Sequence, residues 1–126
     1  MPFKYFEAAP SFDASKVFYV RVDPDISQVQ ELLSHLYYTL WFPGYFGFNW
    51  DALHDCLCDL SWMPCRKVVL VHSRLPGIPA KDLKTYLEIL RDAASDWRVP
   101  GAAHELDVFF KNEDREAIER ILKERV

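Results

Sequence analysis

Three aspartates at helical spacing are the residues of this sequence best placed to do chemistry. Asp51, Asp55 and Asp59 follow one another at steps of four, which puts their carboxylates on one face of a helix. Like charges at this spacing repel by about 0.2–0.5 kcal/mol per pair, and the same helix has no lysine or arginine to offset the repulsion. A partner rich in arginine or lysine would remove that cost. The spacing therefore predicts a surface that binds a cationic partner.

Acid–base catalysis is the first alternative for this helix, because His54 lies between two of the aspartates. Neither a Gly-rich phosphate loop nor a nucleophile elbow accompanies it in the sequence. A hydrolase would also need a deep polar pocket around His54. We therefore predict that the protein is not an enzyme.

A metal site is the second alternative, since Cys56, Cys58, Cys65 and His72 all carry ligand atoms. Two residues along a helix turn the side chains about 200° apart, so Cys56 and Cys58 cannot both face one ion. Cys56 falls on the apolar face of its helix and is most simply a small core residue. The sequence predicts neither a metal site nor a cofactor.

Composition and charge limit the partner class further. The chain has 126 residues, of which 50% are hydrophobic and 27% charged, and this balance favours a single globular domain spanning residues 1–126. The net charge of −4 does not support direct nucleic-acid binding. Between Val22 and Cys65 there is no lysine or arginine. The acidic residues of that stretch are Asp23, Asp25, Glu31, Asp51, Asp55 and Asp59.

The compartment is inferred from the cysteines and the N-terminus. Three cysteines at close spacing do not make a disulfide framework. Residues 1–7 lack the apolar core of a signal peptide, and no apolar run reaches the length of a membrane span. We expect a cytoplasmic protein without a membrane partner.

The elements that position these residues follow from hydrophobic periodicity. Residues 17–22, 67–72 and 106–111 are rich in β-branched and aromatic side chains and are predicted strands. Helices are predicted at about residues 26–40, from the Asn49 cap to Leu60, at about residues 80–97, and at 112–126. Strands alternating with helices predict an α/β fold in which helices pack on a three-stranded parallel sheet. Residues 1–16 are expected to form an N-terminal arm or a short edge strand.

An aromatic loop precedes the acidic helix. Tyr45 and Phe46 lie between Gly44 and Gly47, so we expect them to be the exposed members of the group, available as interface anchors. The aromatic residues of the loop and helix start are Trp41, Phe42, Tyr45, Phe46, Phe48 and Trp50.

The loop and helix together carry a motif, P-x-Y-F-G-x-N-x-D-A-L-x-D-C-L, over residues 43–57. This motif resembles the signature of the barstar family, which are intracellular inhibitors of secreted ribonucleases. The resemblance implies a two-layer fold whose loop and second helix plug a nuclease active site, with Asp55 in the place of a substrate phosphate. By position it implies that Tyr45, Phe46, Gly47, Asn49, Asp51 and Asp55 bind the partner, and a looser match adds Asp92 and Asp96. His54, Cys58 and Asp59 complete the predicted partner-binding set.

Some positions depart from the family pattern. His54 replaces an aromatic interface residue, Leu60 stands where the family has tryptophan, and the arm at 1–16 and helix at 112–126 are additional. The expected partner is a basic ribonuclease or a ribonuclease toxin domain, which would make this an immunity-type or antitoxin protein. An acidic interaction module with a non-nuclease basic partner remains the alternative. We expect a monomer, or a weak homodimer through exposed aromatics.

Overall fold

The chain alternates strands and helices, as its periodicity predicts. A computed structural model describes residues 2–123. The strands are β1 (Phe3–Phe6), β2 (Val17–Val22), β3 (Lys67–His72) and β4 (Glu105–Lys111). The helices are α1 (Val29–Thr39), α2 (Trp50–Asp59), α3 (Ala80–Asp96) and α4 (Arg115–Lys123), with a 3₁₀ turn at Asn112–Asp114.

The sheet is parallel, as predicted, but has four strands rather than three, in the order β1-β4-β3-β2. The register aligns Val20 with Leu70, Leu70 with Val108, and Val108 with Phe3, so one buried row crosses all strands. For residues 1–16 the sequence allowed an arm or a short edge strand, and residues 3–6 form the edge strand β1. Its four residues are too few for a periodic pattern to distinguish strand from coil.

The two faces of the sheet are covered differently. Side chains of the four helices share one buried cluster with the row just described. Residues 7–16 link the two edge strands, and Phe12 packs within 5.5 Å of the Tyr19 ring and 5.6 Å of the Phe109 ring, measured between centroids. The helices thus form one layer on the sheet and the β1–β2 connection protects part of the opposite face.

A buried polar pair joins the sheet to α3. His72 Nδ1 lies 3.1 Å from the carbonyl oxygen of Phe109, which can only accept, so Nδ1 carries the proton. Nε2 then accepts the hydrogen bond from the Tyr86 hydroxyl, 2.7 Å away. Burial lowers the pKa of His72 to about 4. His72 is a neutral core residue whose two ring nitrogens both have partners.

The ends of two helices differ from the sequence prediction. Residues 26–28 precede α1 rather than belonging to it, because their loop is held by the loop after β3. Arg74 donates to the Pro24 carbonyl and the Asp25 carboxylate at 2.7 and 2.6 Å, and Gly77 N–H donates to Ile26 at 2.9 Å. Near the C-terminus, the helix predicted from Asn112 begins later: Asn112 begins a 3₁₀ turn, and α4 starts at Arg115. Residues 124–126 of the predicted helix lie outside the described residues.

No helix within residues 2–123 combines the length and apolar character needed to cross a membrane.

Candidate functional site

Helix α2 is built to present one charged face. Asn49 caps its start, since the Oδ1 atom accepts the Ala52 N–H at 2.8 Å. The inner face buries Leu53, Cys56 and Leu57. Leu60 ends the helix in a left-handed conformation (φ 51°), and its side chain is fully buried. With both ends and the inner face fixed, the remaining face has a defined position on the surface.

The aspartates of α2 lie on that outer face. Asp51, Asp55 and Asp59 are exposed, and the Asp55 side chain keeps 84% of its accessible surface. Within residues 2–123, no lysine or arginine forms an ion pair with these three carboxylates. The imidazole Nδ1 of His54 lies 4.0 Å from Asp55 Oδ1. Asp25, which belongs to the same acidic stretch of sequence, is paired with Arg74 at 2.6 Å. Three exposed carboxylates without a lysine or arginine partner thus lie together on α2.

The loop before α2 contributes one exposed aromatic residue to this face. Tyr45 is 71% exposed, and its hydroxyl donates to Asp59 Oδ2 at 3.3 Å. Partial desolvation and the nearby Asp59 carboxylate raise the pKa of the Tyr45 phenol. Tyr45 and Asp59, predicted separately, form one polar contact at the edge of the acidic face.

Phe46 is not exposed, so the prediction that it lies on the surface is wrong. Only 4% of its surface is accessible. Its ring lies 4.9 Å from those of Phe42 and Phe48 and stacks on Tyr37 at 6.0 Å, between centroids. The flanking glycines do not turn Phe46 outward, because these rings form a pocket beneath the loop. Phe46 supports the loop from below.

The loop conformation depends on its own residues. Phe48 has a positive φ of 53°, which is uncommon for a bulky side chain. A Cβ on Gly47 would lie 3.2 Å from Asn49 Nδ2, the atom that donates to the Gly47 carbonyl at 3.3 Å. Gly47 and Asn49, both exposed, therefore shape the turn into α2.

An open groove of about 510 Å³ runs between α2 and α3. Four residues that line it were predicted to bind the partner: Asp51, His54, Asp55 and Asp92. The other lining residues are Trp50, Thr85, Glu88 and Ile89. Asp92 is partly compensated by Arg91, whose Nε is 3.1 Å from the carboxylate. The sequence prediction missed Thr85 and Glu88. These two residues and Asp92 are spaced by three and four positions on α3, a pattern that would have indicated that they share one helix face.

A second cluster lies where α2 and α3 end. The Sγ atom of Cys58 is 3.8 Å from His54 Nε2 and 3.7 Å from Asp96 Oδ2. Burial, followed by the charge of Asp96, raises the pKa of the Cys58 thiol to about 11. Cys56 points into the core instead, as its helical phase predicts. The structure thus joins three predicted site residues that come from two helices.

Two further aromatic side chains are exposed outside the groove. Tyr38 and Trp41 keep 73% and 60% of their surface accessible. Trp41 has a φ of 57°, and its ring meets the edge of Phe18 at 4.9 Å between centroids. Trp41 was included in the aromatic group of the loop, but its exposure was not predicted from the sequence.

Comparison with known proteins agrees with this geometry. The sequence profile of the Barstar family, described as barstar (barnase inhibitor), matches residues 16–113. The match starts just before β2 and ends in the 3₁₀ turn, so β1 and α4 lie outside it. No significant match was found among curated proteins. Since the profile covers most of the chain, including the loop, α2 and α3, this protein is a member of the barstar family.

Proposed function

We propose that this protein inhibits a barnase-type ribonuclease by placing the outer face of α2 in the active-site cleft of the enzyme. Family membership supports an inhibitor of this class. The observation that carries the proposal is the set of exposed carboxylates on α2, Asp51, Asp55 and Asp59, which lack lysine and arginine partners among residues 2–123.

The mechanism is mimicry of the RNA backbone. A ribonuclease holds its substrate with arginine, lysine and histidine side chains that converge on phosphates. Carboxylates can form the same charge-assisted hydrogen bonds, bidentate with arginine, but offer no bond to cleave. Asp51 and Asp55 are one helical step of four apart, which is about 6 Å along the axis. Because the helix is already formed, binding avoids most of the ordering cost that a flexible RNA strand would incur.

The surrounding residues have separate roles in this proposal. Tyr45 and Asp59 extend the contact at one edge, and Asp92 and Asp96 on α3 extend it across the groove. His54 offers a hydrogen-bonding side chain between the two central aspartates. Gly47, Asn49 and the buried Phe46 hold the loop and the start of α2 in place.

The acidic face also favours rapid encounter. A cluster of unpaired negative charge attracts a basic enzyme over a distance of about 10 Å at moderate salt, so the association rate should fall as salt is added. We place this activity in the cytoplasm, where an immunity protein or antitoxin would protect the cell from a ribonuclease or ribonuclease toxin domain.

The test is titration of barnase with the purified protein while RNA cleavage is followed. We expect stoichiometric loss of cleavage. Asp55→Asn should weaken inhibition by about 2–5 kcal/mol, or at least about 30-fold, mainly through faster dissociation. Glu116→Gln is the matched control, because Glu116 is also an exposed helical carboxylate but lies on α4.

Two results would contradict the proposal. One is unchanged barnase activity at a large excess of inhibitor. The other is inhibition that Asp51→Asn and Asp55→Asn both leave at the level of Glu116→Gln. If a basic protein other than a ribonuclease bound the same face while RNA cleavage stayed unchanged, the chain would be an acidic interaction module.

A further inference from the structure

We infer that His54, Cys58 and Asp96 form a binding site for a divalent cation of the zinc type. Their ligand atoms, an imidazole nitrogen, a thiol sulfur and a carboxylate oxygen, all lie within 4.8 Å of one another. The site shares His54 and Asp96 with the proposed inhibitory face, but the inference concerns the free protein and its test requires no nuclease.

The donor set suits zinc. Zinc binds cysteine sulfur, histidine nitrogen and carboxylate oxygen, and sites with three protein ligands leave the fourth tetrahedral position to water or another group. The site lies at the surface, with His54 and Cys58 half-buried and Asp96 exposed. A hydrated cation can therefore reach it, and its fourth position faces solvent.

The distances are close to those that coordination requires. At Zn–S of about 2.3 Å and Zn–N or Zn–O of about 2.1 Å, tetrahedral geometry separates sulfur from either neighbour by about 3.6 Å. The observed Sγ separations are 3.8 Å to His54 Nε2 and 3.7 Å to Asp96 Oδ2. Nitrogen and oxygen, at most 4.8 Å apart, need to approach each other by up to about 1.4 Å to reach the separation of about 3.4 Å that tetrahedral zinc requires, which side-chain rotations can provide. On coordination the thiol proton of Cys58 is released to water, so sulfur binds as the thiolate.

The packing of α2 against α3 positions the three ligands relative to one another. His54 and Cys58 are four residues apart on α2 and share a face. Asp96 is the last residue of α3, and the next residue, Trp97, donates its indole N–H to the Leu57 carbonyl of α2 at 2.8 Å. That bond fixes the end of α3 beside the last turn of α2. The ligand atoms are thus positioned before any cation binds.

The charge around the cluster also favours a cation. The exposed carboxylates of Asp55 and Asp92 line the same groove as His54 and add negative charge to that of Asp96. A divalent cation would offset the repulsion among these carboxylates. The sequence did not indicate this set, because Asp96 is separated from Cys58 by 38 positions and only the packing of α2 on α3 brings them together.

The test uses the full chain with its thiols reduced. Calorimetric titration with Zn²⁺ should show one ion per chain, and Co²⁺ as a spectroscopic probe should give a thiolate-to-metal absorption band. Cys58→Ser should abolish the band and weaken Zn²⁺ binding at least about tenfold, and Asp96→Asn should also weaken it. Cys65→Ser is the matched control, since Cys65 is also a half-buried free cysteine, and it should bind as the parent does.

Circular dichroism of each variant verifies that α2 and α3 stay folded, and His54→Ala gives a second loss-of-ligand variant if Cys58→Ser is unstable. The inference is overturned if the parent protein binds no Zn²⁺ at a one-to-one ratio. It is equally overturned if Cys58→Ser and Cys65→Ser bind the ion alike, which would indicate adventitious binding.

Discussion

The neighbouring residues Tyr45 and Phe46 offer the sharpest test of how the aromatic loop works. Both match the loop motif, but Tyr45 is 71% exposed whereas Phe46 is 4% exposed. We expect Tyr45→Ala to act on binding and Phe46→Ala to act on stability. The two residues are adjacent in the chain, so a difference between the effects of the two substitutions reflects how buried each side chain is.

The expected size of each effect follows from the contacts. Removing the Phe46 ring leaves a cavity among Phe42, Phe48 and Tyr37, and such a loss costs about 3–5 kcal/mol. This is a large part of the roughly 5–15 kcal/mol that stabilises a domain of this size. With a urea slope of about 2 kcal/mol per molar, the midpoint should fall by about 2 M. Tyr45→Ala removes one exposed hydrogen bond to Asp59 and should change the free energy of unfolding by less than about 0.5 kcal/mol.

The assay is urea unfolding followed by tryptophan fluorescence, combined with barnase inhibition measured well below the unfolding midpoint. Tyr45→Ala should weaken inhibition with an unchanged midpoint, whereas Phe46→Ala should lower the midpoint. Tyr38→Ala is the control, because Tyr38 is 73% exposed but belongs to α1 rather than to the loop before α2. A Phe46→Ala midpoint equal to that of Tyr38→Ala would refute the buried position of Phe46.

Three further predictions concern stability. Because burial holds the pKa of His72 near 4, against an ordinary value near 6.5, the unfolded chain takes up a proton first as pH falls. The free energy of unfolding should drop by about 2 kcal/mol between pH 8 and pH 5 in urea titrations, and a slope that persists in His72→Gln would contradict this origin. Asn49→Ala should cost about 1 kcal/mol through loss of the α2 cap, with Asn49→Asp as the conservative control in thermal unfolding. Phe3→Ala should cost about 3 kcal/mol, because Phe3 is buried against Phe110, and a negligible change would indicate that β1 does not support the core.

Much of the candidate face could be predicted from sequence because its signals are local. The four-residue steps of Asp51, Asp55 and Asp59 and the Asn49 cap depend only on the helical repeat, and the structure places all three carboxylates on the surface. The exposure of Phe46 was predicted wrongly, because this loop residue packs against Tyr37 of α1, a contact that local spacing does not show.

The sequence by itself determined the strands, the helices and the acidic face of α2, since each follows from the spacing of residues within a single element. The parallel sheet follows from the order in which those strands and helices alternate. The tertiary structure decided which distant elements meet. Only packing shows that β1 pairs with β4, although Phe3 and Val108 are far apart in the chain, and that Asp96 lies beside Cys58. Such contacts leave little trace in local periodicity, because they depend on how whole helices and strands bury their apolar faces together.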